Sequence, residues 1–500
     1  MEARNQPMWL PFAMTIVSTA FGSLTGRAAP GATAFLGIPF AEAPVGALRW
    51  APPSPTPVWE GTRDATAFGP APWQPTGGPL DGLVPGMGSA DQSDDSLNLN
   101  IWSPSIAGSR PVLVWIHGGA FSLGSGSLSV YDGSRLAAAT DTVVVTINYR
   151  LGALGFLVID DPSCTANVGL LDQVAALEWV RDNIGAFGGD PGNVTIFGES
   201  AGGGSVLSLL SMPAAVGLFH RAIVQSGATD LLLDRKKAQL VTEAVARSAG
   251  LDTVDVAALR SLSGPQIIEA QASAAMELFG SVGTMPFHPV IDGVILPTSW
   301  LDAASSGVNP VPVIIGTTRD EMDLFKMFDP AAATLDDRGL RSRLDATGKN
   351  VDSLIAAYAS TGTTEPSKVW ARVNTDRAMW LPAIRIAEAR SAHAPTWMYR
   401  FDWEAASPEL GAAHGIDIPF PFTNIDVDGW DTFIADPELA MSLASLMQQA
   451  WGAFAQNGVP TLGSTEWPGY DTTERSTAIL GRTVSVECDP NGSVRQAWSE

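Results

Sequence analysis

The sequence predicts an α/β protein with a large, mostly parallel central sheet flanked by helices. Stretches with helical spacing separate several short apolar runs, so right-handed βαβ units are expected. The runs are continuous and end in glycine or polar residues, as is typical of buried parallel strands. They occupy residues 111–119, 142–150, 194–197, 221–228 and 311–318.

The flanking segments follow the same scheme. TIVSTAFGSLTG (15–26) alternates like a two-stranded hairpin, so we assign it to a β-rich N-terminal segment, residues 13–60, and not to a signal peptide. The remaining segments include helical excursions, a late strand and a long amphipathic helix, at 230–310, 325–390, 396–403 and 438–458. Because no linker interrupts this order, we expect one domain over residues 1–500.

The composition restricts the partners and the compartment. The net charge of −23 disfavours nucleic acid and anionic membranes as partners, and no run of eighteen apolar residues predicts a membrane span. Cys164 and Cys488 form neither a disulfide framework nor a zinc spacing, so we expect two unpaired thiols. These features favour a cytoplasmic monomer or small homo-oligomer, with secretion left open.

The stretch Asn193–Ser205 carries the strongest motif. Gly198-Glu199-Ser200-Ala201-Gly202 fits the G-x-S-x-G pattern between an apolar strand and the start of a helix. Such a turn exposes the serine hydroxyl above the sheet, and side chains at the two glycine positions would clash. Ser200 is therefore the predicted nucleophile.

A serine nucleophile needs a base, and histidine is the usual one. Ligands bind outside the carboxyl ends of the strands in open α/β sheets, and the acid and histidine follow the serine along such chains. His393 precedes the strand 396–403, on the wrong side of the sheet, whereas His414 follows its carboxyl end. The sequence therefore predicts His414 as the base.

The acid that orients the histidine should follow another strand end. Asp320, Glu321 and Asp323 all follow the strand 311–318. Their position favours them over other carboxylates but does not choose among them.

An oxyanion hole needs backbone N–H groups that point at the developing charge. Ala201 follows the nucleophile, and HGGAF (117–121) follows an earlier strand, with Gly118 and Gly119 permitting close approach. We expect these three N–H groups to be the donors, with His117 a structural residue of the loop.

Four segments resemble the type-B carboxylesterase family, which includes bacterial p-nitrobenzyl esterases. They are AFLGIPFAEAPVGALRW (34–50), FGGDPGNVTIFGESAGG (187–203), RDEMDLF (319–325) and HGIDIPF (414–420). The resemblance implies an α/β-hydrolase fold and ester hydrolysis through an acyl-enzyme without metal or cofactor. It also selects Glu321 as the acid beside Ser200 and His414, and gives Glu199 and Ser226 supporting positions near the triad.

The chain departs from the family at two places. Ser96 stands where the family usually has a cysteine, so the loop before it is not closed by a disulfide, which argues against a cholinesterase. The family's acyl pocket corresponds to SVGTMPFH (281–288), which predicts Gly283, Met285 and Phe287 as residues of a roomy pocket. We expect His288 to be a packed or exposed loop residue.

Three alternatives to a small-molecule ester hydrolase stay open at this point. The same triad could cleave carbamates or amides, because specificity depends on the pocket. A non-catalytic binding module of this family typically lacks triad residues, and all three are present here. An interfacial lipase needs an apolar lid, and the loop 75–96 is polar and rich in glycine.

Overall fold

A thirteen-stranded sheet organises the part of the chain that the computed structural model describes, residues 14–77, 85–88, 90–229, 231–283, 285–430 and 433–499. The strand order is β1-β2-β3-β5-β7-β6-β8-β9-β12-β13-β14-β15, with β4 beside β2, and β10 and β11 form a separate pair. The strands are β1 Thr15–Thr19, β2 Gly22–Ala29, β3 Ala32–Pro39, β4 Thr62–Asp64, β5 Asn98–Ser103, β6 Arg110–Ile116, β7 Val143–Ile147, β8 Gly189–Glu199, β9 Arg221–Gln225, β10 Leu233–Asp234, β11 Val290–Ile291, β12 Val313–Thr318, β13 Thr396–Phe401, β14 Ser476–Leu480 and β15 Val484–Cys488.

Helices fill the connections between these strands and form most of the two excursions. A π-helical turn, Asp376–Trp380, joins α11 to α12. The helices are α1 Ser134–Thr140, α2 Gly152–Phe156, α3 Val168–Asn183, α4 Ala201–Ser211, α5 Arg235–Ser248, α6 Val256–Ser261, α7 Gly264–Leu278, α8 Trp300–Ser305, α9 Asp337–Asp345, α10 Val351–Ser360, α11 Pro366–Thr375, α12 Leu381–Ser391, α13 Pro419–Phe422, α14 Pro437–Asn457 and α15 Gly492–Ser499.

The central strands are buried on both faces. Val112, Val114 and Ile116 of β6 belong to the core that includes residues of α3 and α4, whereas Leu113 and Trp115 belong to the core that includes residues of α1 and α14. Successive strand residues point to opposite faces, so a continuous apolar run is what a strand between two helical layers requires. This arrangement explains why the central strands lack polar alternation.

The carboxyl ends of five parallel strands lie along one edge of the sheet. Neighbouring strands run parallel from β7 to β14, and antiparallel pairs occur only toward the two sides. Ile116 pairs with Gly198, Glu199 with Gln225, and Thr318 with Phe401. The loops that follow β6, β8, β9, β12 and β13 therefore meet at one edge.

These observations confirm the predicted sheet and the hairpin between β1 and β2. The sequence analysis missed β14 and β15, and it extended the strands 142–150 and 396–403 beyond their ends at Ile147 and Phe401. Part of the predicted N-terminal segment, residue 13, and part of the loop 75–96, residues 78–84 and 89, lie outside the described residues. The single-domain organisation and the compartment stay predictions.

Two further results concern membrane-spanning helices and the cysteines. Among the described residues, no helix combines the length and apolar character needed to span a bilayer. Cys164 is half-buried and Cys488 exposed, and both are free thiols.

Candidate active site

Ser200 sits on the sharp turn between β8 and α4. Its backbone has φ of 57° and ψ of −123°, in the positive-φ region that residues other than glycine seldom adopt. A Cβ atom on Gly198 would lie 2.6 Å from the carbonyl carbon of Gly202, and one on Gly202 would overlap the carbonyl oxygen of Ile116. The glycines therefore let the turn pack against β6 while Ser200 projects into the cavity.

His414 contacts both Ser200 and Glu321. Its Nε2 lies 2.8 Å from Ser200 Oγ, and its Nδ1 lies 2.6 Å from Glu321 Oε2. The loop after β13 supplies the histidine, and the loop after β12 supplies the glutamate. The structure thus brings together the three residues that the sequence analysis singled out.

Glu321 is buried, and both of its carboxylate oxygens have hydrogen-bond partners. Ser226 Oγ donates to its Oε1 at 2.6 Å, and the backbone N–H of Thr318 donates to the same oxygen at 2.8 Å. These donors, with the imidazole on the other oxygen, fix the orientation of the carboxylate. Ser226 thus contacts the acid, not the histidine.

Glu199 approaches the other ring nitrogen of His414. Its Oε1 lies 3.3 Å from Nε2 and has no hydrogen-bond partner. Burial raises the pKa of Glu199 to about 8, assisted by the charges of Asp417 and Glu321. Burial lowers the pKa of His414, but the carboxylates of Glu199 and Glu321 outweigh it and raise the pKa above its usual value. Because the two groups are so close, they titrate as a pair.

Gly118, Gly119 and Ala201, the three predicted oxyanion donors, line the same cavity as Ser200. Within the described residues no acceptor is found for the N–H of Gly118 or Gly119. The N–H of Ala201 belongs to the first turn of α4, where a helix has no acceptor of its own. Gly119 has φ of 111°, and a Cβ atom on Gly118 would lie 2.7 Å from the carbonyl oxygen of Glu199. This close approach explains the glycine pair.

His117 is not placed to act as a base. Its Nδ1 lies 2.8 Å from the carbonyl oxygen of Gly118, and its ring stacks on Tyr149 at 4.6 Å between centroids. Burial lowers its pKa to about 4. The histidine therefore supports the loop that carries the two glycines.

Asp320 and Asp323 have partners other than His414. Asp320 accepts hydrogen bonds from Arg372 and from the backbone N–H of Ala412, at 2.6 and 3.0 Å. Its own backbone N–H donates to the carbonyl oxygen of Ala412 at 2.9 Å. Asp323 pairs with Lys326 at 3.0 Å. Asp320 thus ties the acid loop to the histidine loop without touching the imidazole.

The site opens into a cavity of about 1630 Å³. Met285 lines it, as predicted from the sequence, and so does His288, which is a packed loop residue. Gly283 and Phe287 are not among the described lining residues, and Phe287 is buried in the core that includes α5 and α7. Which side chains of this segment face the cavity depends on how the excursion packs, and the assignment of Gly283 and Phe287 to the substrate pocket stays a prediction.

One buried carboxyl group beside the site was missed. Asp417 accepts hydrogen bonds from Gln225 and Tyr399, at 3.0 and 3.1 Å, and its other oxygen has no partner. Burial raises its pKa to about 6. The spacing of three residues from His414 within HGID could have signalled it. Within the described residues no group of three or more His, Cys, Asp or Glu side chains could hold a metal ion.

Comparisons with known proteins identify the family. A model of the carboxylesterase family matches residues 13–496. The para-nitrobenzyl esterase of Bacillus subtilis is 38% identical over 96% of this chain and 98% of its own, and the liver carboxylesterase of Sus scrofa is 36% identical over 93% and 89%. The phenmedipham hydrolase of Pseudarthrobacter oxydans is 37% identical over 93% and 95%.

Solved structures extend the similarity to the fold. The crystal structure of a carboxylesterase from Geobacillus stearothermophilus has a TM-score of 0.86 at 39% identity, covering 97% of this chain and 100% of its own. A structure named PNB esterase has a TM-score of 0.83 at 38% identity, with 96% and 99% coverage. These matches confirm the α/β-hydrolase fold. The chain therefore belongs to the carboxylesterase family and is a carboxylic ester hydrolase.

Proposed function

We propose that the chain hydrolyses small-molecule carboxylic esters through an acyl-enzyme on Ser200, with His414 as general base and Glu321 as the orienting acid. The continuous contact from Ser200 Oγ through His414 to Glu321 carries the proposal, at 2.8 and 2.6 Å. A serine hydroxyl becomes an effective nucleophile when a base within hydrogen-bond distance accepts its proton.

In the first half of the reaction, Ser200 Oγ attacks the ester carbonyl carbon while His414 Nε2 accepts the hydroxyl proton. The carbonyl oxygen gains negative charge and receives hydrogen bonds from the N–H groups of Gly118, Gly119 and Ala201. Such preorganised donors stabilise the transition state more than the ground state. Glu321 holds the proton on Nδ1 and stabilises the imidazolium.

The tetrahedral intermediate then collapses, and the bond to the alcohol oxygen breaks, which completes the acyl-enzyme. His414 returns its proton to that oxygen, so the alcohol leaves neutral. Water then attacks the acyl-enzyme by the same route, with His414 again as base, and releases the acid. The proposed groups need no metal or organic cofactor to complete this cycle.

Replacing the nucleophile tests the proposal. In Ser200→Ala no hydroxyl can form the acyl-enzyme, so kcat with p-nitrophenyl butyrate should fall by about 10⁴-fold or more. A radiolabelled organophosphate should modify the wild-type chain and not the variant. Ser211→Ala is a matched control, because Ser211 lies at the end of α4, the helix that follows Ser200, and its hydroxyl donates to the carbonyl oxygen of Leu207. Activity of Ser200→Ala within tenfold of wild type would refute the assignment.

The names of two relatives, para-nitrobenzyl esterase and phenmedipham hydrolase, refer to different substrates, so they do not indicate one natural substrate for this chain. Carbamate or amide hydrolysis by the same three residues stays an alternative, because the pocket determines specificity. Matched p-nitrophenyl ester, p-nitrophenyl carbamate and p-nitroanilide substrates would rank the three reactions by kcat/KM.

A further inference from the structure

A bound ester places its acyl group and its alcohol group on opposite sides of the reacting carbonyl in the cavity. If an ester directs its carbonyl oxygen to the N–H groups of Gly118, Gly119 and Ala201, its leaving oxygen must face His414 Nε2 to receive a proton. The acyl group then lies on the side of Ser200 away from the histidine. This placement rests on the proposed function.

We assign to that side five of the residues that line the cavity and call them the acyl arm: Phe121, Gly204, Met285, His288 and Trp300. A Cβ atom on Gly204 would lie 3.2 Å from the ring of Trp300 and 3.3 Å from that of Phe121, so the glycine leaves space between the two rings. The described ion pairs, hydrogen bonds and ring contacts of His414 involve none of the five.

His288 is the polar exception in this apolar surface. The side chain is buried, with 4% of the residue exposed, and its ring meets the edge of Phe121 at 6.0 Å between centroids. The indole N–H of Trp300 already donates to Ser208 Oγ at 3.0 Å. No hydrogen-bond partner exists for His288 Nε2, and none is recorded for Nδ1 among the described residues.

The other four histidines differ in this respect. Each makes at least one hydrogen bond through its ring: His117 with Gly118, His220 with Val194, His393 with Ser305, and His414 with Ser200 and Glu321. Buried polar groups in folded proteins nearly always have partners, so an unpaired one beside a ligand cavity points to a partner on the ligand.

The chemistry of the ring limits what that partner can be. Burial lowers the pKa of His288 to about 4, so the ring is neutral at pH 7. A neutral imidazole offers one N–H donor and one acceptor nitrogen. A purely alkyl acyl chain would leave both unpaired, whereas an oxygen in the chain can accept the N–H.

We propose that His288 is a specificity-determining residue that selects acyl groups whose chain carries a carbonyl oxygen over alkyl groups of the same length. The ring donates its N–H to that oxygen in the acyl arm. The contact is made by the part of the substrate that stays on Ser200, so it acts in both formation and hydrolysis of the acyl-enzyme.

Paired substrates test this assignment. The pairs are the p-nitrophenyl esters of pentanoic and 4-oxopentanoic acid, and of hexanoic and 5-oxohexanoic acid, which place the oxygen at two depths. The ratio of kcat/KM for the oxo ester to that for the alkyl ester, compared between wild type and His288→Phe, cancels intrinsic reactivity. We expect the ratio to fall by about three- to tenfold in His288→Phe for at least one pair.

Three more variants separate hydrogen bonding from shape. His288→Gln keeps a donor and an acceptor and should retain part of the ratio, whereas His288→Leu, a second apolar variant in case His288→Phe does not fold, should lose it. Met285→Leu changes the arm without changing its hydrogen bonds, so the ratio should stay within twofold.

The outcomes distinguish this inference from the proposed function. Ratios that agree within twofold between wild type and a folded His288→Phe or His288→Leu, for both pairs, would overturn the role of His288 while leaving ester hydrolysis intact. Absence of hydrolysis of all four esters, with no organophosphate labelling of Ser200, would instead contradict the proposed function.

Discussion

The two nitrogens of His414 face two glutamates in opposite surroundings. On the Nδ1 side, Glu321 accepts hydrogen bonds from Ser226, from the Thr318 backbone and from the imidazole. On the Nε2 side, Glu199 Oε1 lies 3.3 Å from the ring nitrogen and has no hydrogen-bond partner. Both carboxyl groups are buried, with 0% and 3% of the residues exposed.

The difference shows that hydrogen bonding, and not burial, separates the proposed roles of the two groups. A carboxylate with several donors keeps a fixed geometry and suits the task of holding the imidazole tautomer. Glu199 Oε1 has no donor, and the raised pKa of this carboxyl group places its titration near that of the histidine. We therefore expect Glu321 to be required for turnover and Glu199 to set the pH dependence.

Among changes to the groups around His414, the largest expected effect comes from Glu321→Gln. An amide can present its NH₂ group to Nδ1 and favour the wrong tautomer, so kcat should fall by about 10³- to 10⁴-fold. The measurement is kcat with saturating p-nitrophenyl butyrate. Asp323→Asn is the matched control in the same loop, and its kcat should stay within tenfold. Equal losses in the two variants would contradict the assignment of the acid.

A smaller effect is expected from Ser226→Ala, which removes one donor to Glu321 while leaving the Thr318 N–H in place. Weaker fixation of the carboxylate should lower kcat by about tenfold, with little change in KM. Ser226 has φ of 50°, and alanine at this position carries similar backbone strain, so the thermal unfolding midpoint should change little. A rise in KM without loss of kcat would assign Ser226 to substrate binding instead.

The smallest effect on the maximal rate, and the clearest on pH dependence, should follow Glu199→Gln. His414 must be neutral to act as base, so kcat/KM rises with pH as the histidine loses its proton. In wild type this limb should lie above pH 6.5, the usual histidine value, because neighbouring carboxylates raise the pKa. Removing one carboxylate lowers the pKa of His414 and moves the limb to lower pH. A limb that stays in place or moves upward would contradict this coupling.

Much of this site was predictable because strand ends are easily recognised. His414 followed from the position of a single strand, and the paired sheet confirms that its loop lies at the same edge as the elbow. The choice of Glu321 over Asp320 came only from the family resemblance. Asp320 instead meets Arg372, which is 52 residues away along the chain, and no local pattern reveals such a partner.

The acyl arm was the least predictable part. Phe287 and His288 are adjacent in sequence, yet one packs with residues of α5 and α7 and the other faces the cavity. That outcome depends on how a helical excursion settles on the sheet, which single-sequence periodicity does not encode. The strand β14 and the edge strand β15 were missed because neither is a continuous apolar run: β14 begins with two polar residues, and most of β15 is exposed or half-buried.

The reciprocal hydrogen bonds between Asp320 and Ala412 also bear on how the chain folds. They join segments 92 residues apart, beside the contact between Glu321 and His414, which are 93 residues apart. Closing such long loops costs conformational entropy that local helices and hairpins avoid. The catalytic arrangement is therefore a product of the whole β8–β13 assembly, and hydrolysis reports completion of that assembly more faithfully than helix content does.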